Sequence, residues 1–309
     1  MSILRVKQLS KRYGSVLALD SISFDVPPGT VFGILGPNGS GKTTTLGIVS
    51  GVLRQTAGSF EVFDQAPSAD LRKRIGTLLE TPNFYPYLSA VKNLEIAAGI
   101  KGRGAGDILD VLGKVNLLER KDSAFSTVSL GMKQRLAIAS TLLGSPEVLV
   151  LDEPTNGLDP VGIAEIRTLI KSLSHEGKTI IMASHLLDEV EKVCTHMVLL
   201  KKGNVITQGK VSDILAQGDV VEVSGAGDLS GALKAYPGVK EVRTTEGRWE
   251  LVFESKDVSL GKINEYCFSK GIILDHLTLK RKSLETRFLE LTEEQPQPTT
   301  QKYAKSAAH

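Results

Sequence analysis

Apolar residues in this chain gather in short runs, and the runs change character along its length. From Leu4 to about Glu61, short stretches alternate with polar positions: Leu4-Arg5-Val6, Ser21 to Val26, Val31 to Leu35 and Ser59 to Val62. Each predicts a strand, with Pro27-Pro28-Gly29 as a turn between the second and third. Between about Leu78 and Leu143 the spacing becomes helical, interrupted at Lys101 to Gly106 by a polar, Gly-rich break that predicts a mobile loop. Apolar runs then resume at Val148 to Leu151, Thr179 to Met182 and Met197 to Leu200, separated by helix-length segments. Continuous uncharged runs suit parallel strands buried on both faces, so the core is expected to be α/β.

After about Gln217 the pattern over Val220 to Lys280 reads strand, helix, hairpin, helix, strand. The hairpin would run from Val239 to Val242, turn at Thr245-Glu246-Gly247, and return over Trp249 to Phe253. That order resembles the ferredoxin-like split βαβ arrangement, with Trp249 and Tyr266 as its expected core. An amphipathic helix over Ser283 to Leu291 precedes a polar, Pro-rich end that reads as disordered.

The most specific feature is Gly36-Pro37-Asn38-Gly39-Ser40-Gly41-Lys42-Thr43, directly after the apolar run Val31 to Leu35. This is the spacing of a phosphate-binding loop between a strand and a helix. The glycines let successive backbone N–H groups face a phosphate chain, Lys42 reaches the β- and γ-phosphates, and the Thr43 hydroxyl ligates Mg²⁺. The next segment, Thr44 to Leu53, predicts a helix whose positive end adds to the anion site.

A partner for that loop lies at Val148-Leu149-Val150-Leu151-Asp152-Glu153. A buried parallel strand would deliver both carboxylates to the sheet edge where ligands bind in open α/β folds. Asp152 would then hold Mg²⁺, directly or through water, and Glu153 would polarise the water that attacks the γ-phosphate.

Four motifs in order resemble the ATP-binding subunits of ABC transporters: Gly36 to Thr43, Ser129-Leu130-Gly131-Met132-Lys133-Gln134-Arg135, Asp152 to Pro160, and Ser184-His185. The resemblance covers about residues 1–215. It implies a P-loop ATPase core with an antiparallel β subdomain and a helical subdomain over about 78–143, together spanning 1–217. A small accessory α+β domain would follow over 218–292, with a disordered tail over 293–309. It further implies that two such domains face head to tail, sandwiching two ATP molecules between the phosphate loop of one and the signature of the other.

Carried over residue by residue, Tyr13 is the expected base-stacking aromatic, worth about 1–3 kcal/mol. Gly36, Pro37, Asn38, Gly39, Ser40, Gly41, Lys42, Thr43 and Thr44 are the expected ATP-binding loop. Ser129, Leu130, Gly131 and Met132 would serve the partner subunit's γ-phosphate. Asp159 would be the acid linking the two sites, and His185 the γ-phosphate switch. Glu153, His185 and Lys42 would carry catalysis, with Thr43, Asp152 and Glu80 around the metal. The resemblance thus implies ATP and Mg²⁺ as cofactors. Its implied partners are a second ATP-binding subunit, identical or paralogous, and a polytopic membrane permease.

Two positions depart from the family pattern. Val128-Ser129-Leu130-Gly131-Met132 stands where relatives read Leu-Ser-Gly-Gly-Gln, so the phosphate contact should survive with altered affinity. Glu80 replaces the usual glutamine, and a carboxylate accepts a hydrogen bond but cannot donate one. The stretch Glu80 to Leu88 is similar to subunits of bacitracin- and lantibiotic-type exporters, and the domain after Gln217, with its ending over Ser283 to Leu291, resembles the extra domain of drug and antibiotic exporter subunits. Phe84, Tyr85 and Tyr87 can pack the helical subdomain or line a groove for a permease segment, and clustered aromatics favour the groove.

Composition narrows the alternatives. The chain's 309 residues are enough for two domains. With 37 basic against 35 acidic residues, net charge is +2, and nothing calls for a nucleic-acid partner. No run reaches membrane-spanning length and the first residues lack the order of a signal peptide, so a cytoplasmic protein is expected, and the resemblance implies that it is held peripherally at the membrane through a permease. Cys194 and Cys267 lack metal or redox spacing and read as reduced, buried side chains. A non-transport ABC ATPase is the rival reading, although the chain has neither a second cassette nor a long coiled coil. An ATP-binding subunit without turnover is disfavoured by the presence of Asp152, Glu153 and His185.

Overall fold

The computed structural model describes residues 2–79, 84–215, 220–226, 229–245, 248–253, 258–280 and 283–293. Glu80, the hairpin residues Glu246 and Gly247, and all of the expected tail beyond Glu293 lie outside these described residues. The chain divides into two compact units, Met1–Ile214 and Leu215–His309.

The first unit opens with β1 (Leu4–Tyr13), β2 (Val16–Val26) and β3 (Val31–Leu35), then α1 (Lys42–Val49) and β4 (Ala57–Val62). It continues through α2 (Ala69–Lys73), β5 (Ile75–Leu78), α3 (Ala90–Lys101), α4 (Ile108–Lys114) and α5 (Leu130–Leu142). The remainder alternates: β6 (Val148–Asp152), α6 (Pro160–His175), β7 (Thr179–Ser184), α7 (Leu187–Val193), β8 (His196–Lys201), β9 (Asn204–Lys210) and α8 (Val211–Leu215).

Six strands form the main sheet in the order β5-β6-β7-β3-β8-β9, parallel except for the last pair. Every residue of β3, β6 and β7 is buried, as their uncharged sequences require of strands covered on both faces. An antiparallel sheet of order β2-β1-β4 packs against it, and one core joins Leu4, Val6, Ile22 and Phe24 to Phe32, Ile34, Val150 and Ile181. Among the described residues, no helix is long and apolar enough to cross a membrane.

Several expectations change in this unit. The first two strands are longer than predicted, because bulges in their pairing absorb the polar positions that break the alternation. The helix α1 stops at Val49 rather than Leu53, since Gly51 turns left-handed and Leu53 folds back onto Gly47, whose absent side chain makes the room. The Gly-rich break at Lys101 to Gly106 is a packed connection and not an open loop. Gly102 caps α3 with φ 65°, and a Cβ on Gly104 would lie 2.5 Å from the backbone nitrogen of Gly144.

The second unit contains β10 (Val220–Ala226), α9 (Leu229–Lys234), β11 (Val239–Thr245), β12 (Arg248–Phe253), α10 (Leu260–Ser269), β13 (Ile273–Lys280) and α11 (Leu284–Glu293). Its antiparallel sheet runs β11-β12-β10-β13, the order of a split βαβ fold. Trp249 and Tyr266 do not form its centre. Both are only partly buried, at the margin of a core built from Val221, Val223, Leu251, Phe253, Ile263 and Cys267. Small and aliphatic side chains with Phe253 fill the space between helices and sheet, and Tyr236 joins Phe253 to Tyr266 by edge-on ring contacts.

Opposite that core, Glu222 on β10 is surrounded by the basic side chains of Lys280, Arg248 and His276. Lys280 lies 2.5 Å away, and Arg248 and His276 each lie 3.3 Å away. The hydrogen bond from Lys280 is the main cause holding the Glu222 carboxyl below its ordinary value, against the opposing effect of burial. A carboxyl whose folded value is depressed stabilises the fold above its unfolded pKa of about 4.3, and that contribution disappears as pH falls through the folded value. Trp249, the single tryptophan, sits in the same unit and reports its unfolding. The denaturant midpoint read by its fluorescence should therefore drop from about pH 5 downward, and the drop should be shallower in Glu222→Gln. An equally steep drop in that variant would remove Glu222 from the account.

Candidate active site

The ends of β6, β7 and β3 stand side by side on one edge of the main sheet, because β7 pairs with both neighbours in parallel register. Asp152 closes β6, Ser184 closes β7, and the loop from Gly36 follows β3. Sheet order alone thus gathers three segments far apart in sequence at the edge where open α/β sheets bind ligands.

The loop's shape depends on its glycines. Gly36 has φ 148°, and a Cβ there would lie 2.2 Å from the Leu200 carbonyl oxygen and 2.5 Å from Ser40 Oγ. Gly41 has φ 105°, and its Cβ would lie 2.5 Å from Leu19 Cδ2 and 2.8 Å from the Ala18 carbonyl oxygen. Gly39 is left-handed too, at φ 77°, but has open space around it. No side chain caps the N-terminus of α1, which leaves its first N–H groups facing the cleft. That cleft has a volume of about 510 Å³.

Lys42 is 6% exposed, and its Nζ donates to the carbonyl oxygens of Gly36 at 2.8 Å and Pro37 at 3.3 Å. The ammonium is thereby held inside the loop. Glu153 Oε1 lies 3.7 Å from it, and Glu153 Oε2 lies 2.8 Å from Nδ1 of His185. The Glu153 backbone has φ 47°, unusual for a residue with a side chain, and its N–H donates to the Ala183 carbonyl at 3.1 Å. Strain of this kind concentrates at functional sites, and here it turns the carboxylate into the cleft, which it helps to line. Leu186 N–H donates to Ser184 Oγ at 3.0 Å, which fixes the turn that carries His185.

The site fits Mg²⁺ with a nucleotide. Among the described residues no three His, Cys, Asp or Glu side chains converge on a metal position, but Mg²⁺ takes few protein oxygens and completes its shell from phosphates and water. Thr43 is exposed at the start of α1, and the nearly buried Asp152 ends the strand before Glu153. Glu80 lies outside the described residues.

The other expected residues are distributed as follows. Asn38 and Thr44 line the cleft with the loop glycines. Tyr13 does not. It is exposed, with Lys11 Nζ 4.9 Å from its ring centre, and the apolar wall of the cleft is instead Val16, Leu17 and Ala18 of β2. Ser129 caps α5, accepting from Met132 N–H at 3.3 Å, and Asp159 caps α6, accepting from Gly162 N–H at 2.9 Å. Each cap contributes about 1 kcal/mol. The two helix starts are neighbours: a Cβ on Gly131 would lie 3.9 Å from Gly162 Cα, and one on Gly157 would lie 3.6 Å from Leu130 Cδ2. Ser129, Leu130, Gly131 and Met132 are not part of the cleft lining and form a separate, accessible edge. Behind these motifs, Arg167 of α6 grips Glu189 of α7 through two hydrogen bonds of 2.8 and 3.3 Å.

Sequence reasoning missed Asn93. It is 2% exposed on α3, its Oδ1 accepts from Tyr85 N–H at 2.8 Å, and its Nδ2 donates to the carbonyls of Tyr85, Leu88 and Ser89. Phe84 packs edge-on against Phe125 with ring centres 5.2 Å apart, whereas Tyr85 and Tyr87 remain exposed. One polar residue on the apolar face of a helix was the available signal.

Comparison with known proteins agrees with this geometry. The family described as ABC transporter matches residues 19–156. The bacitracin transport ATP-binding protein BcrA of Enterococcus faecalis is 32% identical over 94% of this chain and 96% of its own length. The lantibiotic transport ATP-binding protein SrtF of Streptococcus pyogenes is 40% identical over 67% of this chain and 90% of its own. The chain belongs to the ABC transporter ATP-binding proteins. A dimeric post-hydrolysis structure of the ATP-binding cassette MJ0796 with ADP and Pi superimposes with a TM-score of 0.60 at 27% identity, covering 67% of this chain and 98% of that one. This ABC protein is therefore an ATP-hydrolysing transporter subunit, and its relatives favour that reading over a non-transport ATPase. Subunits of this kind dimerise and work with membrane permeases.

The glycines should separate by environment. Gly36→Ala and Gly41→Ala are expected to lose ADP binding and to melt markedly lower. Gly39→Ala, which meets nothing, should pay only the left-handed backbone cost of about 1–2 kcal/mol. Calorimetric titration and thermal melting of the three variants measure the difference.

Proposed function

We propose that this subunit energises export of a peptide antibiotic, drug or lipid-like substrate through a separate polytopic permease. It would act from the cytoplasmic face as one of two ATP-binding subunits. The observation that carries this reading is that likeness to the bacitracin transport protein runs through both units, 94% of the chain, and not through the ATPase unit alone.

In this mechanism the loop N–H groups and Lys42 bind the phosphate chain, while Val16 and Leu17 offer the base an apolar wall. Thr43 and Asp152 would hold Mg²⁺, which when bound neutralises charge on the phosphate oxygens. Glu153 orients water in line with the γ-phosphate and draws on its proton, and His185 keeps the carboxylate aimed through the 2.8 Å contact. Lys42 balances the charge that shifts toward the leaving oxygen. Ser129 and Gly131, on their separate edge, would complete the site of a second subunit. Tyr85 and Tyr87 offer an aromatic surface to the permease.

Glu153→Gln should still bind ATP but hydrolyse it at least about 100-fold more slowly, with a longer-lived dimer. Near-normal turnover would refute the role given to Glu153. For the transport reading, the full chain should be isolated from gently solubilised native membranes, and deletion of its gene should lower resistance to a peptide antibiotic. Recovery without any polytopic protein, together with unchanged resistance, would refute the export reading.

A further inference from the structure

The β8–β9 turn, Lys202-Gly203, reaches the nucleotide cleft from the side opposite Glu153. Strand β8 pairs in parallel with β3, Leu199 opposite Leu35, so its end arrives at the same sheet edge as the phosphate loop. The turn is then stitched to both walls of the cleft. Gly203 N–H donates to the Ser40 carbonyl at 3.1 Å, and Asp20 N–H donates to the Gly203 carbonyl at 2.9 Å. Gly203 cannot carry a side chain there, since a Cβ would lie 2.7 Å from the Ala18 carbonyl oxygen.

Lys202 itself is held left-handed at φ 49°, a conformation in which glycine or asparagine costs less. Its side chain is exposed and lines the cleft beside Ala18, Gly39 and Gly41. Among the described residues its ammonium makes no ion pair, whereas Lys42, the other lysine of the cleft, is already engaged by carbonyls and faces Glu153. A strained turn position, an unpaired cation and a neighbouring polyanion site coincide.

We propose that Lys202 is a nucleotide-binding residue, contributing a second positive charge to the phosphate chain of the bound nucleotide. This rests on the cleft at Gly36 to Thr43 being the nucleotide site. Its position beside β2 and the Gly39 to Gly41 part of the loop, on the side opposite Glu153, directs that charge to the phosphates that ATP and ADP share and not to the γ-phosphate. The backbone strain at position 202 is then the cost of placing a lysine where the fold prefers glycine.

The full chain with Lys202→Gly removes the charge and relaxes the backbone, so the variant should fold and melt no lower than the parent. Its Kd for ADP and for ATP, titrated calorimetrically with Mg²⁺ present, should rise about three- to tenfold, as for a partly exposed charge contact. Lys202→Arg should return both constants to within about twofold, because a cation suffices at this contact. An unchanged Kd in Lys202→Gly would overturn the proposal. So would a rise that Lys202→Arg fails to restore, since the turn and not its charge would then matter, and so would a rise confined to ATP. Lys42→Ala, titrated alongside, keeps the two ideas apart: if it too binds normally, the cleft itself is misassigned.

Discussion

Parallel strand order is the constraint from which the rest of the site follows. Because β6, β7, β3 and β8 run the same way in adjacent positions, Glu153, His185, the phosphate loop and Lys202 emerge along one edge in that order. None of them is near another in sequence except through this sheet. Buried aliphatic strands with no tolerance for a shifted register hold the edge rigid, since a slip of one residue would turn interior side chains outward. Chemistry at the edge therefore inherits its precision from residues such as Val150, Ile181 and Ile34, which touch no substrate.

Charge within the cleft is organised by proximity and partial burial more than by net charge, which is only +2 for the whole chain. Lys42 lies between two carbonyl oxygens and one carboxylate, and Glu153 lies between an ammonium and an imidazole. Each group is compensated without ligand, so the loop avoids the cost of an isolated buried cation. Around this pair, much of the polarity is carried by backbone, from loop glycines whose side chains would collide and a helix end that no side chain caps, alongside the side chains of Asn38, Thr43, Thr44 and Lys202.

Much of this was legible in the sequence, and the gaps have physical causes. The phosphate loop and the two carboxylates are local patterns whose spacing follows from phosphate geometry, so they could be placed by residue number. The short strand β5 went unassigned, because Ile75-Gly76-Thr77-Leu78 holds only two large apolar residues in four positions, too few to define a period. Strand β9 escaped notice because an antiparallel edge strand with one exposed face has a mixed composition. The contact between Glu153 and His185 is a tertiary distance between residues 32 apart, and its motifs could be recognised but not its geometry. Tyr13 was picked by residue type and motif position, whereas the placement of Val16 and Leu17 in the cleft lining depends on how the β1–β2 hairpin folds, which no local pattern states. Lys202 follows an apolar run and precedes a glycine, a pattern too common to mark a site alone.

The Asn93 bracket separates two properties that are usually entangled. Its amide holds the backbone of the Tyr85 to Ser89 segment from inside α3, through one accepted hydrogen bond and an NH₂ group shared among three carbonyls. Backbone shape is thus held by a buried residue, while the exposed surface is written by the Tyr85 and Tyr87 side chains, whose rings pack edge-on against each other. Substitutions at positions 85 and 87 should therefore change what this surface presents without unmaking the backbone platform that displays it.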